Sequence, residues 1–435
     1  MAVDQALVRR FRTDVADAMA EQRRADQERG RPGLSGEDER ELAQAVIAQR
    51  LEDHARTQIA SGQSPLSALD EAEIAISVTS ALFGVGRLQP LLEDESVENI
   101  DINGCDRVFL RYFDGRVEMG PPVAESDEEL VELVQLMGAY AGLSSRPFDT
   151  AHPQLDLRLP DGSRLSAVMD VVARPSVSIR RNRLDKVFLS DLVGFGSFDP
   201  GVQAFLSAAV AARKNMIIAG STDAGKTTLL RALANEIGPE ERLITVEKAL
   251  ELGLDRFPDL HPDVVAFEER LPNSEGVGAV PMGQLVQRSL RMNPSRVIVG
   301  EVLGGEIVTM LNAMGQGNDG SLSTIHAKSS MHVFQRIATY AIESDARLPA
   351  EATNMLIAGA IDFVIFCRKT VAADGRRLRQ VASIREVTGI DGQVLSSEVY
   401  GLDPTGRLVA KAPISCLADL EQQGYEPERW GRWAG

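Results

Sequence analysis

Two patterns of hydrophobic and polar positions fill the first 190 residues. Residues 1–87 carry Leu, Val, Ile and Ala at helical spacing among Arg, Glu and Gln, which predicts amphipathic helices. Residues 88–190 carry short β-type runs that are separated by turns such as Asp114 and Gly115, with one helical stretch at 127–141. These patterns predict a helical extension followed by a smaller α+β domain with hairpins.

A third pattern follows residues 191–200, whose glycine and proline residues predict a linker. Residues 201–370 alternate apolar strand-like runs, such as 215–219, with helical runs, such as 227–237. Such alternation is typical of a parallel sheet with right-handed crossovers. Residues 371–435 add further strand-like runs, so we predict an α/β domain with a β-containing tail.

The N-terminal helices offer one local start signal. Ser35 and Asp38 have the spacing of a loose capping box, which predicts that a helix begins there. Two interpretations of this region stay open: it is either a solvated helical appendage or a docking arm for another protein.

Charge and targeting features narrow the class of protein. The chain of 435 residues has 46 Lys and Arg against 63 Asp and Glu, a net charge of -17, which argues against non-specific nucleic-acid binding. No apolar leader is present, and the longest apolar run, 355–367, is short and contains Asp362. Cys105, Cys367 and Cys416 lie far apart, which favours a reducing compartment. We expect a cytoplasmic protein that a partner would have to hold at a membrane.

Residues 220–227 fit the motif G-x-x-x-x-G-K-[ST] between a predicted strand and a predicted helix. Glycines let the backbone amides face a phosphate, and the helix N-terminus favours its charge. Lys226 can reach the β- and γ-phosphates, and Thr227 can bind Mg²⁺. Asp223 is expected to point outward, because a carboxylate repels phosphates. The predicted nucleotide-binding residues are Gly220, Ser221, Thr222, Asp223, Ala224, Gly225, Lys226, Thr227 and Thr228.

Two predicted strands end in glutamate, at Glu247 and at Glu301. The carboxyl ends of parallel strands meet at the edge of the sheet where ligands bind, so these carboxylates are candidates for metal binding and for activation of water. Gly300 occupies the place of the aspartate usual before such a glutamate. A glycine-rich turn at 317–320 leads to Thr324 and His326; the histidine is either a phosphate sensor, a subunit contact or a structural residue.

Together these motifs resemble the secretion-superfamily (type II/IV secretion) ATPases. The likeness is greatest to pilus-assembly motors of the tight-adherence type (CpaF/TadA) and to their conjugation and type IV secretion relatives. It covers residues 88–365, and the order of the motifs is specific. The segments that carry the resemblance are 91–94, 100–104, 159–164, 215–230, Glu247, 291–301 and 320–327.

The resemblance implies a RecA-like P-loop domain, preceded by the α+β domain and the helical extension. It also implies a homohexamer that uses ATP and Mg²⁺, with nucleotide between the two domains, and a membrane platform as partner. Glu247 matches the family's acidic box as the water-activating base, and Glu301 matches the Walker B glutamate as a metal residue beside Thr227. His326 matches the histidine box. The matched phosphate-facing arginines are Arg158, Arg164 and Arg180.

Three residues depart from the family pattern: Lys248 beside Glu247, Leu303 after Glu301, and Asp223 in the loop. Lys248 and Leu303 favour an alternative function, a nucleotide-gated scaffold ring with little hydrolysis. A RecA-like DNA motor is a third hypothesis, which the acidic charge disfavours. ATP turnover separates the first two hypotheses, and stimulation by DNA would revive the third.

Overall fold

The structure is a computed structural model that describes residues 5–28, 36–83, 86–140, 147–159, 162–181, 186–270, 272, 276–371 and 377–430. The chain divides into two compact units, Met1–Arg181 and Asn182–Gly435. Among the described residues, no helix combines the length and the apolar character needed to cross a bilayer.

The first unit begins with three long helices that share a small apolar core. This core centres on Phe11, Ile47 and Ile74, because each helix presents one apolar stripe to the other two. The predicted helical extension is therefore confirmed; Ser35 lies outside the described residues. The helices of this unit are α1 Gln5–Glu28, α2 Gly36–Ala60, α3 Ala68–Phe83, α4 Gln89–Glu93 and α5 Asp127–Tyr140.

An antiparallel six-stranded sheet makes up the rest of the first unit. Its strands are β1 Val97–Asn103, β2 Val108–Tyr112, β3 Val117–Gly120, β4 Gln154–Arg158, β5 Arg164–Val168 and β6 Ser176–Arg180, in the order β3-β2-β1-β6-β5-β4. Residues alternate between its faces, and one face, with Ile100 and Ile179, is buried together with Leu130 of α5. Arg180, next to Ile179, therefore lies on the opposite face.

The second unit is built on a nine-stranded sheet. Its strands are β7 Met216–Gly220, β8 Leu243–Glu247, β9 Val264–Glu268, β10 Arg296–Val302, β11 Leu322–His326, β12 Phe363–Val371, β13 Arg377–Asp391, β14 Gln393–Leu402 and β15 Leu408–Ala410. Its helices are α6 Leu189–Gly194, α7 Pro200–Ala211, α8 Lys226–Ala234, α9 Met282–Ser289, α10 Glu306–Met314, α11 His332–Glu343, α12 Ala350–Ala360 and α13 Leu417–Gln422.

The strand order is β15-β14-β13-β12-β7-β11-β10-β8-β9. The six strands from β12 to β9 are parallel, and β13, β14 and β15 extend the sheet in antiparallel fashion. Both faces are covered: Ile218 belongs to the apolar core on one face, and Ile217 belongs to the core on the other. The predicted α/β class with a parallel sheet is confirmed.

The observed boundaries differ from the predicted ones in two places. Residues 191–200 include most of α6, and Leu192 and Phe198 pack into the core of the second unit; apolar side chains between the glycines outweigh the linker-like composition. The units divide after Arg181 instead. The tail is also part of the sheet, and the Tyr400 and Tyr425 hydroxyls lie 2.6 Å apart in the same core.

Candidate nucleotide-binding site

The phosphate loop connects the end of β7 to the start of α8. Gly225 caps α8 with φ +89°, a conformation that glycine adopts without strain. A Cβ at Gly220 would lie 2.6 Å from the backbone oxygen of Cys367, so the neighbouring strand β12 requires glycine there. The loop therefore places the N-terminus of α8 at the sheet edge, where amide groups favour an anion.

Lys226 is nearly buried within this loop. Its side chain is 7% exposed, and Nζ donates a hydrogen bond to the backbone oxygen of Ser221 at 3.1 Å. The same ammonium lies 3.4 Å from both ring nitrogens of His326. The lysine is thus held across the loop, in the position where phosphate oxygens would accept from it.

His326 joins the phosphate loop to the carboxylate on β10. It ends β11 directly opposite Gly220, and its Nε2 lies 2.8 Å from Oε1 of Glu301. Burial, together with the Lys226 ammonium, lowers the pKa of His326, although Glu301 opposes the shift. A neutral imidazole can donate to Glu301 from Nε2, so Lys226, His326 and Glu301 form one contiguous polar chain.

Thr324 has a packing role beneath this chain. It is 1% exposed, and its hydroxyl donates to the backbone oxygen of Gly300 at 2.7 Å. The bond ties β11 to β10 just before Glu301, which fixes the strand from which that carboxylate projects.

Glu247 lies at the end of β8, the strand next to β10. It is 3% exposed, and its Oε2 accepts from the backbone N–H of Glu251 at 2.8 Å and of Leu252 at 2.9 Å. A Cβ at Gly300 would lie 2.9 Å from Cγ of Glu247. Glycine at position 300 therefore makes room for the Glu247 carboxylate, which explains the residue that sequence reasoning found unusual.

The donor set at the loop suits Mg²⁺. Thr227 offers a hydroxyl and Glu301 a carboxylate, and Mg²⁺ prefers such oxygen ligands. Within the described ranges, no cluster of three or more His, Cys, Asp or Glu residues could hold a metal on its own. In proteins, Mg²⁺ is usually held by one or two side chains together with nucleotide phosphates.

Asp223, which the sequence predicts to point outward, is paired with two cations. Its carboxylate is half-buried and forms salt bridges to Lys369, at 2.8 Å, and to Arg379, at 2.5 Å. Burial would raise the pKa of Asp223, but these two cations hold the pKa below its ordinary value. Sequence reasoning missed both partners, because they lie on strands far along the chain.

The three predicted arginines form a row on the first unit. Arg158 lies directly opposite Arg164, and Arg164 lies directly opposite Arg180, on the adjacent strands β4, β5 and β6. Side chains opposite one another in an antiparallel sheet share a face. The structure therefore brings these three residues together on the open face of that sheet.

The other two departures from the expected pattern lie near Glu247 and Glu301. Lys248 is exposed, on the opposite side of the chain from the buried Glu247. Leu303 is 42% exposed, and its backbone N–H donates to Oε1 of Glu306 at 2.5 Å. Neither side chain forms part of the polar chain of Lys226, His326 and Glu301.

Comparisons with known proteins agree with this geometry. The sequence model of the family described as type II/IV secretion system protein matches residues 83–407. A putative conjugal transfer protein of Mycobacterium tuberculosis is 33% identical over 317 residues, which cover 71% of this chain and 86% of the relative. The type IV secretion system protein VirB11 of Brucella suis is 28% identical over 353 residues, or 74% of this chain and 94% of the relative.

Solved structures show the same fold. The Legionella pneumophila ATPase DotB has a TM-score of 0.50 and 18% identity, covering 79% of this chain and 83% of that chain. The pilus retraction motor PilT with bound ADP has a TM-score of 0.50 and 15% identity, covering 78% and 86%. The predicted RecA-like architecture is thus confirmed.

Proposed function

The chain belongs to the type II/IV secretion system protein family as an ATPase motor, and from this premise we propose that it works as a homohexamer. In this proposal the ring binds ATP and Mg²⁺ and passes force to the inner-membrane platform of a pilus, secretion or conjugation machine. It acts from the cytoplasmic face of that membrane. Likeness to the tight-adherence pilus motors is the reason to name a pilus first.

One observation carries the proposal: the polar chain from Lys226 through His326 to Glu301 at the phosphate loop. The Lys226 ammonium and the Glu301 carboxylate thus lie at the same edge of the parallel strands β7, β11 and β10, which supports a role for the first at the phosphates and for the second at the metal. If Glu301 were only a surface carboxylate and Lys226 only a structural lysine, we would not expect His326 to contact both of them. This arrangement suits binding and cleavage of a triphosphate.

The proposed chemistry divides the work among named side chains. The loop amides and Lys226 hold the β- and γ-phosphates, and Mg²⁺ would be held by Thr227 and Glu301. When bound, the ion neutralises charge on the phosphate oxygens. Glu247 accepts a proton from the attacking water as the water oxygen bonds to the γ-phosphorus and the bond from that phosphorus to the ADP oxygen breaks. Two amide contacts hold the carboxylate in one orientation.

The arginine row has a proposed part in the same reaction. Three arginines opposite one another on adjacent strands concentrate positive charge on one face of the sheet, and that charge would favour a bound anion. We assign Arg158, Arg164 and Arg180 to the charge that develops on the transferred phosphoryl group. An arginine in this role can change the rate by about a thousandfold or more.

A nucleotide-gated scaffold ring is the second candidate function. Two observations favour it: the Glu247 carboxylate is turned toward the amides of its own loop, and Leu303 occupies a position where the family pattern has arginine. Such a ring would assemble with ATP and release little phosphate. No direct role for nucleic acid is proposed.

Sizing of the purified chain with and without ATP and Mg²⁺, together with a phosphate-release assay, tests both candidates. If the chain is a motor, it is expected to form hexameric rings and to release phosphate steadily. The Lys226→Ala variant is expected to lose nucleotide binding. Rings that form with ATP but release no phosphate would establish the scaffold instead. Unchanged nucleotide binding by Lys226→Ala would remove the basis of both.

A further inference from the structure

Asp223 of the phosphate loop is held at three points by basic side chains of the C-terminal strands. Its Oδ2 lies 2.8 Å from Nζ of Lys369, and its Oδ1 accepts from Nη2 of Arg379 at 2.5 Å. Nε of Arg379 also donates to the backbone oxygen of Asp223, at 3.1 Å. These bonds fix both the carboxylate and the peptide of a residue whose φ is +62°, a conformation that glycine adopts more readily.

Lys369 and Arg379 are cross-strand partners. They lie directly opposite each other on β12 and β13, where two like charges destabilise an antiparallel pair. Asp223 supplies one negative charge to this pair of cations. The three side chains therefore carry a net charge of about +1, counted from their ordinary ionisation states.

The two cations lie beside the site expected for phosphate. A Cβ at Gly225 would be 3.6 Å from both Cβ and Cδ of Arg379, so the arginine stem runs along the residue that precedes Lys226. The Asp223, Lys369 and Arg379 side chains are 22%, 34% and 28% exposed. At this partial burial, charges interact more strongly than in bulk water.

We propose that Lys369 and Arg379 are positioning residues for nucleotide, which cancel the charge of Asp223 at the phosphate loop. This inference deepens the proposed function and rests on nucleotide binding at that loop. Without the two cations, Asp223 would present an uncompensated carboxylate to the same phosphates. The two cations therefore affect binding of the polyphosphate of a nucleotide, rather than binding of its base.

The test is a binding titration of the full chain with a fluorescent ATP analogue and Mg²⁺. The double variant Lys369→Met/Arg379→Met is expected to bind about tenfold more weakly at low salt, and the loss is expected to shrink as salt screens the carboxylate. Adding Asp223→Asn to this double variant is expected to restore affinity to within about threefold of the unaltered chain, because the repelling charge is gone while a side chain of the same size remains.

A matched control removes two cations elsewhere on the same sheet. Arg407→Met/Lys411→Met changes the net charge equally at residues that flank β15, and it is expected to bind as the unaltered chain does. Thermal unfolding of each variant shows that it is folded. Failure of the unaltered chain to bind would instead overturn the proposed function.

Two results would overturn the inference while leaving the proposed function intact. In the first, the triple variant binds as weakly as the double variant, so that the cations act through packing alone. In the second, the double variant binds as the unaltered chain does. Rescue by Asp223→Asn distinguishes charge from structure, because asparagine removes the charge without giving residue 223 the backbone freedom of glycine.

Discussion

The Glu247 side chain packs against the Cα of Gly300, so closely that a Cβ there would lie 2.9 Å from Cγ of Glu247. Two backbone amides hold the carboxylate in place, and it cannot move aside without losing them. Gly300→Ala is therefore expected to displace the proposed base and to lower kcat by about tenfold or more, with ATP affinity little changed. Gly283→Ala, where an added Cβ meets nothing within 4 Å, is the control, and equal rates for both variants would contradict the prediction.

Glu247→Gln keeps the size of the side chain and leaves an oxygen to accept from the amides of residues 251 and 252. Loss of the proton acceptor is expected to lower phosphate release by about a hundredfold or more, while the variant still binds ATP. Glu268→Gln is a matched control, because Glu268 ends β9 directly opposite Glu247. Parallel rate and binding assays check the prediction, which is wrong if Glu247→Gln turns over ATP normally.

His326 gives the fold a dependence on pH. Its pKa in the folded chain is lowered from 6.5, so the unfolded chain takes up the proton first as the solution is acidified. The free energy of unfolding is therefore expected to decrease as pH falls through about 6.5 toward the folded value. The lost stability is fully present above that range.

His326→Gln is expected to reduce this pH slope, measured by urea unfolding between pH 7.5 and about pH 5.5. His261 contributes a share of the same sign, since burial lowers its pKa as well, so part of the slope remains. His332→Gln, at an exposed position, serves as the comparison. The same slope in both variants would show that His326 does not titrate as the structure indicates.

A buried ion pair supports the sheet beneath the site. Arg296 is 2% exposed, and its Nε and Nη2 donate to the two carboxylate oxygens of Glu241 at 2.8 and 2.5 Å. Arg213 donates to the same carboxylate. Glu241→Gln leaves a buried guanidinium without its counter-charge and is expected to cost about 3 kcal/mol of unfolding free energy.

Chemical denaturation checks this cost, and the neighbouring exposed Glu240→Gln is expected to change stability by less than about 0.5 kcal/mol. A small effect of Glu241→Gln would mean that water reaches Arg296 in solution. Because Arg296 begins β10 and Glu241 precedes β8, both at the end of the strand away from the phosphate loop, the loss is expected in stability and not in nucleotide affinity.

Local patterns in the sequence account for the parts of the fold that were predicted correctly. The apolar run of β7, the motif at 220–227 and the periodicity of α8 each appear within about one turn or strand of chain. Periodicity and turn residues are short-range signals, so they reveal elements and their ends. The phosphate loop and the parallel sheet were predictable for this reason.

Contacts between distant residues were not predictable in the same way. Asp223 meets Lys369 and Arg379 across 146 and 156 positions of sequence, and no local pattern links them. The packing of Gly300 against Glu247 depends on which strands become neighbours. The alignment of Arg158 with Arg164 and Arg180 depends on strand register, which a list of arginines does not contain. The roles assigned to these residues stay predictions until the experiments above are done.

The position of β12 in the second unit connects the phosphate loop to the C-terminal strands. This strand pairs with β7 on one side and with β13 on the other, and the ladder continues to β15. A tilt of the phosphate loop cannot be confined to β7 unless several backbone hydrogen bonds between β7 and β12 break, at about 1 kcal/mol each. If the sheet tilts as one body about the phosphate loop, β13, β14 and β15 move farther than the loop itself. A small displacement at the phosphates would then become a larger one at the edge strand β15.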